Sequence, residues 1–360
     1  MIEDVLNHLK ALVAVDTRNP PRAIGSAIFD YIRQALPDGF AHTLRDHGAG
    51  SVSLLSVRGR PTRVFNFHLD TVPASPQWTR DPLALLVAND RAIGLGACDI
   101  KGAAAAMVAA ANVAKGDVAL LFTSDEEAND ARGVAAFLAS DHGYAEAVIA
   151  EPTRCLARVA HRGLVSATAR FAGIAGHASA ARALDDSAVH RAIGWGAKAL
   201  GYARAWRDAS FGELTGLPFN LGRIEGGIKG NVIAPDCEIR CNFRPLPSLA
   251  VDDLLALLRG MAAPGELVAL EETFRGPPLP AQAGEGATKA MAAARVLAAS
   301  LHLETGPAVD FWTEASLFSQ AGLTAIVYGP GDIAQAHSAD EWVELAQLEH
   351  AARAYAGMLS

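Results

Sequence analysis

Clustered positive charge is missing from this sequence. Lysine and arginine number 31 against 39 acidic residues and the formal net charge is -8. No run of basic side chains supplies the density that binding nucleic-acid phosphates requires. Cysteine is scarce as well. Cys98, Cys155, Cys237 and Cys241 are the four in 360 residues, and with no CxxC pair among them they read as reduced, structural thiols rather than a disulfide framework. No basic-then-apolar leader opens the chain. Ile2, Val5, Leu6, Leu9, Leu12 and Val13 instead recur at helical spacing with acids between them, an amphipathic helix in keeping with a cytoplasmic protein. Internal repeats and low-complexity tracts are absent, although alanine crowds 103–111. What remains is 51% hydrophobic and 19% charged, a globular composition rather than a disordered or membrane one. Small-molecule chemistry is the class left standing.

A chain of 360 residues is long for one hydrophobic core, so two domains or one domain with a large insertion are expected. Up to about residue 155, apolar strands at 64–67, 118–122 and 147–150 alternate with helical stretches such as 103–114, the order of an α/β domain with a largely parallel sheet. From 156 the style changes to adjacent strands at 156–161 and 165–171. A helix over 187–205, further strands within 219–243, a helix at 251–261 and a strand at 267–274 complete an α+β block. After Arg275 the segment GPPLPAQAGEG reads as loop, and the remainder resumes helix, strand and helix, ending in an amphipathic helix over 342–358. The simplest organisation is a catalytic domain in two parts, 1–156 and 276–360, interrupted by an inserted α+β domain at 157–275.

Acids and histidines gather at predicted strand ends. His68 and Asp70 follow the first of these strands on one side of the chain. Imidazole could bind a metal there while Asp70 orients it, or the two could form an ordinary hydrogen-bonded pair. Asp99 lies in GLGACDIKG, where it could bridge two metal ions or cap the following helix. A dinucleotide loop is excluded because the third glycine of that fingerprint is lacking. Asp125, Glu126 and Glu127 follow a buried strand, and adjacent acids in such a place repel unless a cation sits nearby. Glu151 ends another apolar strand just before Pro152, and His337 occupies a loop entering the last helix. Five metal-type ligands after strands of one α/β domain make a single site the economical reading. Residue types and spacing do not divide Glu126 from Glu127.

FNFHLDTVP, GLGACDIKGAAAA, TSDEE, IAEPT, GHAS, GNVIAPDCEIRCNFRP, FWTEASLF and YGPGDIAQAHSADEWV together resemble the M20 metallopeptidases, in particular the acetylornithine deacetylase and succinyl-diaminopimelate desuccinylase group. The resemblance spans nearly the whole chain. It implies a catalytic domain with an inserted lid that also dimerises, and two divalent ions. His68 and Glu151 would hold one ion, Glu127 and His337 the other, with Asp99 bridging, Asp70 supporting His68 and Glu126 acting as general base. Two dications against Asp99, Glu127 and Glu151 leave one net positive charge, able to lower the pKa of a bridging water from about 16 toward about 7. The donor set suits Zn²⁺ and would accept Co²⁺ or Mn²⁺. The resemblance also implies that His177 stabilises the oxyanion from the other subunit of a homodimer, and that Asn231, Arg244 and Thr313 contact substrate, the guanidinium gripping a carboxylate. Arg244 could instead pair with Asp236.

Within that group, GPG followed by AHSADEWV resembles enzymes of arginine synthesis acting on N-acetylornithine and N-acetyl-L-citrulline. It favours the second, released as citrulline and acetate. A dipeptidase or carboxypeptidase would use the same metals on a larger acyl part. Neither a nucleic-acid nor a membrane partner is expected.

Overall fold

Short runs of branched and aromatic residues shape the first half of the chain by burying both of their faces. In the computed structural model, which describes residues 1–20, 25–128 and 130–359, the strands Arg63–His68, Val118–Thr123, Glu146–Ile149 and Thr324–Val327 are almost wholly buried. Strands covered on both sides carry continuous apolar sequence and pair in parallel. Arg63–His68 accordingly runs parallel to Val118–Thr123 on one side and Glu146–Ile149 on the other, and Thr324–Val327 extends the sheet beside Glu146–Ile149. The antiparallel strands Ala41–Asp46 and Val52–Arg58 complete a six-stranded, mostly parallel sheet among the described residues. Parallel strands end on the same edge. The loops after them therefore open together, where open α/β sheets hold their ligands.

The helix Lys101–Val113 is alanine-rich and buried throughout 101–111. Alanine supplies helix propensity where no polar face exists, and its small side chains let Ile2–Val13 and Leu345–Met358 pack closely against it. Ile2–Val13 buries Val5, Leu9, Leu12 and Val13, the stripe its spacing predicts. At Gly102 a Cβ would stand 2.3 Å from the carbonyl oxygen of Ala97, so the helix begins tight against the loop before it.

The chain divides into two compact units, the first comprising Met1–Val159, Lys289–Gly306 and Thr313–Ser360, the second Ala160–Thr288 and Pro307–Trp312. Residues 276–288 and 307–312, placed by sequence in the first domain, thus pack with the second. There an antiparallel sheet runs in the order Phe219–Gly226, Asp236–Phe243, Leu164–Ala172, Leu267–Gly276. Alternate residues Val165, Ala167, Ala169 and Phe171 join Trp195 of helix Ala188–Ala205 and Leu254 and Leu258 of helix Val251–Gly260 in its core.

Two local expectations are corrected. Residues 156–161 form isolated bridges, Arg158 with Val327 and His161 with Leu279, rather than a strand. The last helix begins at Leu345, because Trp342–Glu344 pairs antiparallel with Arg91–Ile93 instead.

Gly102→Ala tests the tight helix start. Alanine gains about 1 kcal/mol of helix propensity, but overpacking against a fixed carbonyl costs about 1–3 kcal/mol. A lowered Tm in thermal unfolding is the expected outcome, and a raised one would show that the loop yields.

Candidate metal centre

Three strands of the parallel group, Arg63–His68, Val118–Thr123 and Glu146–Ile149, deliver an acid or an imidazole to the shared edge. His68 is the last residue of its strand and 2% exposed. Its Nε2 lies 3.1 Å from Oδ1 of Asp99, and its Nδ1 faces Asp70, 3.2 Å from the backbone carbonyl and 3.6 Å from Oδ1. Asp70 is fully buried, and its Oδ2 accepts from Asn19 Nδ2 at 3.1 Å and from the backbone N–H of Glu127 at 3.0 Å. Asp99 stands at a cis Asp99–Ile100 peptide, and its Oδ2 lies 3.4 Å from His337 Nε2, which also reaches Oε1 of Glu127 at 3.1 Å.

These contacts assemble three ligand groups whose donor atoms lie within 4.8 Å of one another: His68, Asp99 and Glu151; Asp99, Glu127 and His337; and His68, Glu126 and Glu127. The first two share Asp99. The third shows that Glu126 stands among the ligands, so distance alone does not separate its role from that of Glu127. Asp125 turns elsewhere: its Oδ2 accepts from Ser51 Oγ at 2.6 Å and Gly133 N–H at 2.9 Å, and burial pushes its pKa up to about 6.

Electrostatics favour a cation here. Burial, then the neighbouring carboxylates, hold Glu126 and Glu151 well above the usual range, and burial with Asp99 raises Glu127. Among the described residues no lysine or arginine forms an ion pair with Asp99, Glu126, Glu127 or Glu151. Only the histidines compensate. Hydrogen bonds to Asp99 and Glu127 lift His337 to about 11, and although burial opposes it, Asp70 and Asp99 hold His68 well above its ordinary value. Asp99 is correspondingly depressed, its hydrogen bonds to His337 and His68 outweighing its burial. Four carboxylates and two imidazoles that must share protons to coexist are a donor set for divalent ions.

Other predicted residues divide between roles. Cys98 donates its thiol to the carbonyl of Asp332 at 3.3 Å, with burial pushing its pKa up, so it packs rather than ligates. Thr313, expected to contact substrate, is fully buried, and its hydroxyl accepts from the N–H of Ala315 at the start of helix Ala315–Gln320. In the second unit His177 is exposed, pairs in register with Val232, and places Nδ1 2.7 Å from Ser179 Oγ. Asn231 lies beside it, its carbonyl accepting from Ala178 N–H at 3.1 Å. Arg244 is half-buried, and its guanidinium has no hydrogen-bond or ion-pair partner among the described residues, so the alternative pairing with Asp236 does not occur. Burial lowers its pKa and the carboxylate of Asp310 opposes that from beyond ion-pair distance, which leaves the guanidinium's donors free for an anion.

Three buried groups escaped the sequence reading. Asn19 holds Asp70 and also donates to the carbonyl of Ser124 at 3.2 Å. Glu314, 1% exposed, accepts from Asn66 Nδ2 at 2.7 Å and is pushed up to about 8 by burial and the nearby Asp125. Glu341 accepts from three backbone N–H groups. Glu314 and Glu341 lie within FWTEASLF and AHSADEWV, but nothing in a linear pattern says which backbone or side chain an acid meets.

Residues 64–360 match the profile of Peptidase family M20/M25/M40. The N-acetyl-L-citrulline deacetylase of Xanthomonas campestris pv. campestris is 57% identical over 351 residues, 97% of this chain and 95% of the relative. An acetylornithine deacetylase of Salmonella arizonae is 32% identical over 318 residues, 83% and 76% of the two chains. Among solved structures, aminopeptidase PepT of Bacillus cereus superposes with a TM-score of 0.74 at 19% identity, over 100% of this chain and 98% of that one. A dinuclear metal binding peptidase of Bacillus subtilis does so at 0.66 and 17%, over 99% and 97%. At those identities the structures speak to the fold alone.

The proton sharing sets a pH signature for metal-free protein. Glu126, Glu127 and Glu151 hold protons more tightly folded than unfolded, where the value is 4.5, and His68 and His337 do so relative to 6.5. Their contribution to stability is complete below those unfolded values and is lost as pH rises through the folded ones, up to about 11 for His337. Melting of chelated protein between pH 6 and 9 is therefore expected to fall with pH through this cluster, and added Zn²⁺ to remove most of the decline. Identical pH profiles with and without metal would sink the assignment.

Proposed function

The chain belongs to Peptidase family M20/M25/M40, and from that premise we propose that it hydrolyses the amide bond of N-acetyl-L-citrulline, releasing citrulline and acetate in arginine biosynthesis. The observation that carries the chemistry is the pair of three-ligand groups sharing Asp99, with Glu126 grouped with one member of each, His68 and Glu127. The 57% identical relative carries the choice of acyl amino acid.

In this reading His68, Asp99 and Glu151 hold one divalent ion and Asp99, Glu127 and His337 the other, with Zn²⁺ or Co²⁺ suited to the donors. Such ions polarise an amide carbonyl and acidify water when bound. Glu126, with its raised proton affinity, is the general base. It accepts a proton from the attacking water and returns it to the departing α-amine as the C–N bond breaks. Asp70, itself held by Asn19 and the Glu127 N–H, fixes the tautomer and orientation of His68. The unpaired guanidinium of Arg244 binds the substrate carboxylate in bidentate fashion, and Asn231 contributes beside it.

His177, exposed with one ring nitrogen engaged by Ser179, donates to the developing oxyanion in the site of the partner protomer of a homodimer. The sheet edge Phe219–Gly226, with Ile224 51% exposed, is the surface through which the inserted domain, acting as lid, would dimerise. A cytoplasmic location accompanies this proposal, in keeping with four free, buried cysteines. Among the described residues no helix is long and apolar enough to cross a membrane.

The test is release of free α-amine from N-acetyl-L-citrulline, N-acetyl-L-ornithine and a simple dipeptide by metal-loaded protein. Acetylcitrulline should be the best substrate; faster turnover of acetylornithine would reassign the side-chain preference, and cleavage of the dipeptide alone would remove the deacetylase reading. Glu126→Gln should retain its metal and lose about 10²–10⁴-fold in kcat. Arg244→Ala should instead raise KM by about 10- to 100-fold, the loss of a charged hydrogen-bonded contact, with a smaller effect on kcat. A variant in which KM is unchanged would remove Arg244 from the substrate.

A further inference from the structure

Glu341 makes more bonds to backbone than any other carboxylate near the proposed centre. It is 2% exposed. Its Oε1 accepts from the N–H groups of Cys98 at 2.8 Å and Asp99 at 2.9 Å, and its Oε2 from the N–H of Gly96 at 3.0 Å. Its own carbonyl accepts from Gly94 N–H at 3.0 Å. One residue thus takes up the amides of the loop that turns into helix Lys101–Val113, and among those amides is that of Asp99 itself.

Its chain position matters as much. Glu341 immediately precedes strand Trp342–Glu344, which is held in register against Arg91–Ile93, and follows His337 by four residues. That tether is tightly turned, with His337 at φ +58° and Asp340 at φ +53°. Asp99 and His337, two members of one ligand group, therefore hang from the same side chain, one through its own amide and the other through a short loop. An ionised carboxylate suits the task because both oxygens then only accept, whereas an amide would aim an N–H at one of the three donors; burial and then Asp99 push Glu341 up to about 8, and the three N–H groups favour the ionised form against them.

We propose that Glu341 is a positioning residue, a carboxylate clamp that registers the loop of Asp99 to the loop of His337 and so sets the separation of the shared ligand from the outer histidine. The clamp rests on the metal-centre reading and acts through backbone, without touching substrate. Burial pushes the nearby Lys101 down to about 7, and Glu341 opposes that shift.

The experiment is titration of Co²⁺ into chelated full-length protein, followed by calorimetry and by the visible d–d absorption, for wild type, Glu341→Gln, Glu341→Asp and Glu349→Gln. Glu349 pairs with Arg353 on the surface and serves as control. Wild type and the control should bind two Co²⁺ with one spectrum. Glu341→Gln should bind about 10–100-fold more weakly with altered d–d bands, and in the loaded enzyme kcat should fall more than KM changes. A folded Glu341→Gln with wild-type stoichiometry, affinity and spectrum overturns the clamp. Should that variant fail to fold, Glu341→Asp, which keeps the charge but withdraws the carboxylate by one methylene, decides by the same readout: wild-type binding overturns, weakened binding supports. Failure of wild type itself to bind two ions would overturn the metal-centre reading and the clamp with it, an outcome distinct from a defect confined to the variants.

Discussion

Carboxylates brought together away from water repel one another, and the first unit is arranged around that repulsion. Glu126, Glu127 and Glu151 arrive at one sheet edge because parallel strands end on the same side, and the loop before helix Lys101–Val113 brings Asp99 to them. With no lysine or arginine paired to them, the metal-free protein compensates by keeping protons on His68 and His337 and raising the proton affinity of three of the acids. Burial and mutual repulsion push in the same direction. A divalent ion reverses both effects at once, replacing shared protons with a charge that every member of the cluster favours.

Around this cluster several carboxylates are also anchored to backbone N–H groups. Asp70 takes the N–H of Glu127, Asp125 that of Gly133, and Glu341 those of Gly96, Cys98 and Asp99. Such bonds convert the position of a loop into the position of a ligand, because a carboxylate that accepts from a neighbouring main chain cannot shift without leaving a buried N–H unpaired. The helix behind the Asp99 loop adds rigidity from another source, since its alanines admit close neighbours and Gly102 leaves no space between helix and loop. In the second unit the guanidinium of Arg244 is half-buried with Asp310 as its nearby opposite charge and no hydrogen-bond partner among the described residues.

Much of this was readable along the chain. Periodicity located helix Ile2–Val13 and the buried strands, and the shift from alternating strands and helices to adjacent strands separated an α/β unit from an α+β one. His68, Glu126, Glu127 and Glu151 stood out because ionisable residues at the ends of apolar strands are costly without a purpose, and Asp99 and His337 joined them as metal-type ligands in loops of the same domain. Elsewhere local signals misled. Residues 156–161 look like a strand but find only isolated bridging partners, and Trp342–Glu344 has helical spacing yet pairs with Arg91–Ile93. Pairing partners lie far away in sequence, and propensity gives way to them.

The sequence by itself determined which residue types could do the chemistry and on which kinds of element they would sit, because hydrophobic period and charge are local properties. Only the tertiary structure decided that Asp99 is common to two ligand groups, that the Arg244 guanidinium does not pair with Asp236, and that Glu314 and Glu341 are buried acids beside the cluster. Each of those facts depends on distances between segments tens to hundreds of residues apart. Such distances are set by the packing of whole elements, which no short stretch of the chain encodes.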